Sequence, residues 1–73
     1  MIRQIPIPPS SHIAYVAYDD EEMTLLIRFQ RGGMYAYTKV TEDVIAGFAQ
    51  ALSAGQFFNE SIRPNYEGKK ISG

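Results

Sequence analysis

Apolar and polar residues first alternate with a period of two, then recur with a period near 3.6, and the change falls at Thr41. Residues 23–30 give the clearest strand. Leu25, Ile27 and Phe29 alternate with Thr24, Leu26 and Arg28, the signature of a half-buried ladder. Residues 12–18 give an earlier strand, with Ile13, Tyr15 and Ala17 on one face and Ala14, Val16 and Tyr18 on the other. Both sets are apolar, so the pattern leaves its core face open. Residues 34–40 give a third strand, with Tyr35 and Tyr37 sharing a face opposite Met34, Ala36 and Thr38. The breaks between them are Asp19-Asp20-Glu21-Glu22, which reads as a solvated turn, and Arg31-Gly32-Gly33. Turns this short require antiparallel neighbours, hence a meander.

Thr41 is placed to cap a helix that opens with Glu42 and Asp43, whose charges suit the positive end of the helix dipole. Val44, Ile45, Phe48, Ala51 and Leu52 follow at helical spacing. The pattern predicts a helix ending near Ser53, with Gly55 as a left-handed stop, and a second short helix over 56–63 closed by Pro64. The expected fold is α+β in the order β-β-β-α-α: a three-stranded antiparallel meander packed against one main helix and a short second one. Residues 1–9 hold Pro6, Pro8 and Pro9 and read as an extended arm, docked through its isoleucines or frayed. Residues 10–66 form one domain, and 67–73 read as a flexible tail.

Seventy-three residues support one small core. The net charge of −1 argues against bulk attraction to nucleic acid or anionic membrane, while leaving room for a local basic patch. With no cysteine there is no disulfide and no thiolate metal site, and one histidine does not make a metal cage. No apolar run is long enough to span a bilayer, and prolines interrupt any leader-like segment, so the default location is cytoplasmic. No serine–histidine–carboxylate or cysteine–histidine set stands out, and the adjacent carboxylates of the acidic turn splay apart. The expectation is therefore not an enzyme, with no cofactor and no metal.

The residues also spell a known pattern. Ser10-Ser11 precede Ile13, followed by Tyr18-Asp19, Leu25, and Phe29 ahead of the glycine turn. Tyr35-Ala36-Tyr37 and Val40 come next, then Ser53-Ala54-Gly55-Gln56-Phe57-Phe58-Asn59, Ile62-Arg63 and Tyr66. Through these the chain resembles the KTSC domain, a short module found at the C-terminus of some lysyl-tRNA synthetases and alone in small bacterial and phage proteins. The resemblance covers positions 10–66. It implies a small domain for which RNA binding has been suggested, through its fusion to a synthetase. Two positions depart from the pattern: Thr41 stands where relatives often carry proline, and Ala54 where they often carry a basic residue.

Two classes of function remain. In the first, the domain binds RNA: Tyr35 and Tyr37 stack on bases, and Arg28, Arg31 and Arg63 meet phosphates. In the second, it binds another protein or itself through an exposed strand edge. Each RNA residue also has a structural reading, the tyrosines as core under the helix and the arginines as scattered surface charge. Arginines and tyrosines on one exposed face favour RNA; buried tyrosines beside an open strand edge favour protein.

Overall fold

The structure, a computed structural model, describes residues 1–72. Five strands make one antiparallel sheet: β1 Ile2–Gln4, β2 Ile13–Asp19, β3 Thr24–Phe29, β4 Met34–Tyr37 and β5 Gly68–Ser72. Their order across the sheet is their order in the chain. Between β4 and β5 lie helix α1 (Glu42–Gln50), helix α2 (Ala54–Phe57) and a π-helical turn, Phe58–Ile62, that continues α2.

The meander and the helical second half are as the pattern predicts, but three strands understate the sheet. The segments read as an arm and a tail supply its two edges, Ile2–Gln4 beside β2 and Gly68–Ser72 beside β4. Within the expected flexible tail, only Gly73 lies outside the described residues. The proline-rich segment stays docked: Ile5 donates its N–H to the Val16 carbonyl at 2.9 Å and is buried.

The core fills the face of the sheet beneath the helices. Leu25 and Ile27 of β3, Val16 and Tyr18 of β2, and Tyr37 of β4 meet Ile45 and Phe48 of α1 and Ile62 of the π turn. A bulge between Ile13 and Tyr15 lets Ile13, Val16 and Tyr18 share this inner face, while Tyr15 and Ala17 turn outward. Neither of the two simple alternating sets survives that extra residue.

The tight hairpin between β3 and β4 needs two successive left-handed residues, and glycines occupy both, Gly32 at φ 99° and Gly33 at φ 88°. Helix α1 stops at Gln50 rather than near Ser53, because Ala51 is already extended with ψ 141°. The chain then restarts as a helix: the Ser53 hydroxyl accepts the Gln56 N–H at 3.2 Å and caps α2. Gly55 therefore sits inside α2, where no glycine has a positive φ, instead of ending α1. Leu52, placed on the apolar face by its spacing, falls in the break and is fully exposed.

At the far end of the sheet from the glycine hairpin, the acidic turn holds β1. The Met1 ammonium bonds Asp20 at 2.9 Å and Glu21 at 2.7 Å. Arg3 bridges Asp20 at 3.1 Å and Glu42 at 2.6 Å, with its guanidinium 5.4 Å from the centre of the Tyr18 ring. Tyr18 donates its buried hydroxyl to the Val40 carbonyl at 2.6 Å, which ties β2 to the entry of α1.

The hydrogen bonds from the ammonium to Glu21 and Asp20 raise its pKa from 8.0 to about 10. A raised folded-state value means that the protonated clamp is fully present below pH 8 and is lost as pH rises through about 10. The thermal midpoint of the native chain should therefore fall by an extra step over that window. A chain acetylated at its N-terminus should show no such step in a paired pH series, and identical profiles would refute the clamp.

Candidate functional site

Cross-strand register sorts the candidate residues by face. Ile27 pairs with Tyr35 and Leu25 with Tyr37, so both tyrosines lie on the inner face with the core. Tyr37 is only 6% exposed, and burial raises its pKa, with the nearby Tyr35 adding to the rise and the Arg63 charge opposing it. The two rings join an aromatic chain. Tyr35 meets Phe29 edge-on at 5.5 Å, Phe29 meets Phe58 at 5.2 Å, and Phe58 meets Tyr37 at 5.7 Å. This clamps β3 and β4 to the π turn, which is a structural task.

Arg28 points the other way. It pairs with Tyr15 of β2 and Met34 of β4 on the outer face, where Leu26, Ala36 and Lys69 lie in neighbouring rows. The buried side chains of α1 and of the π turn all join the inner cluster, so no helix covers this face. Tyr15, Leu26, Met34 and Ala36 are half-buried there, and Arg28 and Lys69 are exposed. Arg31 stands exposed in the hairpin at the Arg28 end, away from the acidic turn. The five expected residues thus divide. Arg28 lies on the outer face with Arg31 at its end, whereas Tyr35 and Tyr37 lie on the inner face, with Arg63 close enough to act on Tyr37.

The aromatic beside Arg28 is Tyr15, which the alternation singled out for no role. Its signal was present in β3: the more polar set Thr24, Leu26 and Arg28 marks the outer face, and whatever pairs with Arg28 shares it. Finding that partner required the bulge.

A concavity of about 490 Å³ lies between the start of β2 and α2 with its π turn. Ser10, Ser11 and His12 form one wall, and Ser53, Gln56, Asn59 and Glu60 form the other. The floor depends on Gly55. A Cβ there would lie 3.1 Å from Cδ2 of His12 and 3.7 Å from Oγ of Ser10. Gln30 binds this corner to the hairpin, donating its backbone N–H to His12 O at 2.8 Å and its side-chain amide to Ser10 O at 3.2 Å.

Among the described residues, no three His, Asp or Glu side chains gather as a metal site, and no helix is long and apolar enough to cross a membrane.

Comparison with known proteins adds to this geometry. A KTSC domain protein from Yersinia pestis has the same fold in its crystal structure, with a TM-score of 0.88, 30% identity, and coverage of 99% of this chain and 100% of that one. An uncharacterized protein of Stutzerimonas stutzeri is 32% identical over 57 residues, 78% of this chain and 80% of its own length. A lysine–tRNA ligase of Nostoc punctiforme is 34% identical over 65 residues, 89% of this chain but 12% of that protein. The family model of the KTSC domain matches residues 9–66, which takes in β2 through the π turn and both walls of the groove, and the chain therefore belongs to the KTSC domain family.

Proposed function

We propose that this is a non-catalytic cytoplasmic module that binds single-stranded RNA on the outer face of its sheet. The observation that carries the reading is the cross-strand pair Tyr15–Arg28 on a sheet face that no helix covers. An aromatic ring on an open sheet stacks on a base whatever its identity, and a neighbouring guanidinium meets the adjoining phosphate. Arg31 and Lys69 extend the positive charge along the same end and edge. Tyr35 and Tyr37 contribute from the other face, through the aromatic chain that holds β4 beneath the platform, and Arg63 lies outside it. The relation to a segment of a lysine–tRNA ligase fits an RNA partner by association only.

The open edges favour protein less. The three-residue β1 is followed by Pro6, and β5 carries Lys69 and Lys70, the features by which natural sheets discourage further strand pairing. With a net charge of −1, few phosphates can be neutralised, so affinity is weak and salt-dependent.

An amide-shift titration with a short single-stranded RNA tests this. At low salt, shifts should concentrate on residues 14–17, 26–31, 34–36 and 69, spare 42–50, and shrink at moderate salt. Tyr15→Ala should weaken binding by ~1–3 kcal/mol, the usual worth of one base–aromatic stack. Absence of shifts at millimolar RNA and low salt would remove RNA and leave a protein strand at the free edge of β5 as the remaining partner.

A further inference from the structure

We propose that the groove between residues 9–12 and 53–60 is a second site, which takes a nucleobase bearing an exocyclic amine. The inference deepens the RNA reading and rests on it for the natural source of the base, but its chemistry is independent of the sheet face.

The groove is roomy and polar, and no lysine or arginine lines it. Its volume of about 490 Å³ lies within the range of small-molecule sites. A phosphate or carboxylate would face Glu60 with no lysine or arginine beside it, so an anion is disfavoured. The donors and acceptors are instead mixed, as a neutral heterocycle requires. Ser10 Oγ accepts the backbone N–H groups of His12 and Ile13, both at 3.1 Å, and Ser53 Oγ accepts that of Gln56 at 3.2 Å. Each hydroxyl keeps its own O–H to donate into the groove.

Asn59 makes no side-chain hydrogen bond among the described residues, so its amide offers both a donor and an acceptor. Glu60 accepts from the Gln56 amide at 3.0 Å through one carboxylate oxygen, leaving the other as an acceptor for an exocyclic amine. Amide and carboxylate side chains are the groups that read the edges of adenine and cytosine. Pro9 and His12 supply flat surfaces on the opposite wall, and the missing Cβ of Gly55 keeps the floor low. The Gln30 bonds to Ser10 and His12 set the groove beside the hairpin of Arg31, so one strand of RNA reaches both sites.

The test uses the full chain and free nucleosides, which lack phosphate. Adenosine and cytidine at millimolar concentration should each produce saturable amide shifts confined to residues 10–13 and 53–60, unchanged by salt. Asn59→Ala and Glu60→Gln, both at exposed positions, should each weaken binding about ten-fold, within the range for losing one base-edge contact. Gly55→Ala, which raises the floor, should abolish the shifts. Equal shifts with uridine or with methyl glucoside would overturn the proposal, as would no saturable shift with any nucleoside.

The two readings fail separately. A Tyr15→Ala/Arg28→Ala chain should still bind adenosine. RNA shifts on the sheet without nucleoside shifts in the groove would sink only this inference, and the reverse would sink only the sheet-face reading.

Discussion

Phe48→Ala should remove a large share of the fold's stability, whereas Leu52→Ala should leave it unchanged. Both side chains fall on one apolar stripe by helical spacing, yet Phe48 is 0% exposed and Leu52 is 101% exposed. Phe48 belongs to the buried cluster of Leu25, Ile27 and Ile45, and its ring centre is 5.0 Å from that of Phe57. Its removal costs the transfer energy of an aromatic ring and leaves a cavity that the sheet cannot close, about 3–5 kcal/mol. A chain of this length is worth ~4–11 kcal/mol in all, at 0.05–0.15 kcal/mol per residue. The loss is thus a large share of the total. Leu52 buries nothing, and its truncation should fall within ~0.5 kcal/mol of zero. Urea denaturation of the two variants checks the contrast, and similar midpoints would mean that α1 presents a different face to the sheet.

The second large effect should come from a residue that looks dispensable. Gly68 opens β5 at an exposed position with an ordinary backbone, but a Cβ built there would lie 2.5 Å from Cε2, 2.7 Å from Cζ and 2.9 Å from Oη of Tyr37. The ring cannot swing aside freely, because it is packed against Phe58 and is nearly buried. Gly68→Ala should therefore push β5 off β4 or force the ring out of its place, at a cost of ~1–3 kcal/mol, as for overpacking elsewhere. Amide exchange at Lys69 and Lys70 should speed up in this variant while Leu25 and Ile27 stay protected. In a Tyr37→Leu background, the added methyl should cost much less, because the clash is gone. Equal costs in both backgrounds would show that Tyr37 is not what the glycine makes room for.

These two residues mark how far the chain can be read without its structure. Leu25, Phe48 and the switch from strand to helix at Thr41 were legible because burial repeats with the period of each element. The edge strands were not. Gly68-Lys69-Lys70-Ile71-Ser72 is exposed along its whole length, so it has no apolar alternation to show, and Ile2–Gln4 is three residues next to prolines. Ser53 and Gln56 carry the start signal of a new helix, but Gly55 resembles a stop so closely that it obscures the restart. At the candidate site, charge alone singles out Arg28 and Arg31, and the register then places Arg28 on the outer face. Tyr15 was hidden by a one-residue bulge, which reverses the face of every side chain on one side of it. Tyr35 and Tyr37 do share a face as their spacing requires, but spacing does not say on which side of a sheet the helices will lie.

That the strands lie side by side in the order in which they occur in the chain also governs how the molecule assembles. Each of the first three pairings closes a short loop, so β1 to β4 can zip together from neighbouring segments at small entropic cost. Only β5 must wait: its partner β4 ends at Tyr37, and both helices intervene before Gly68. The last edge is therefore expected to form after the helices have docked, and pulse-labelled exchange during refolding should protect Leu25 and Ile27 before Lys69 and Lys70. In a molecule assembled this way, the youngest strand on the folding pathway is also the first to leave, and because its lysines go with it, the β4 edge that its departure uncovers carries no charge of its own.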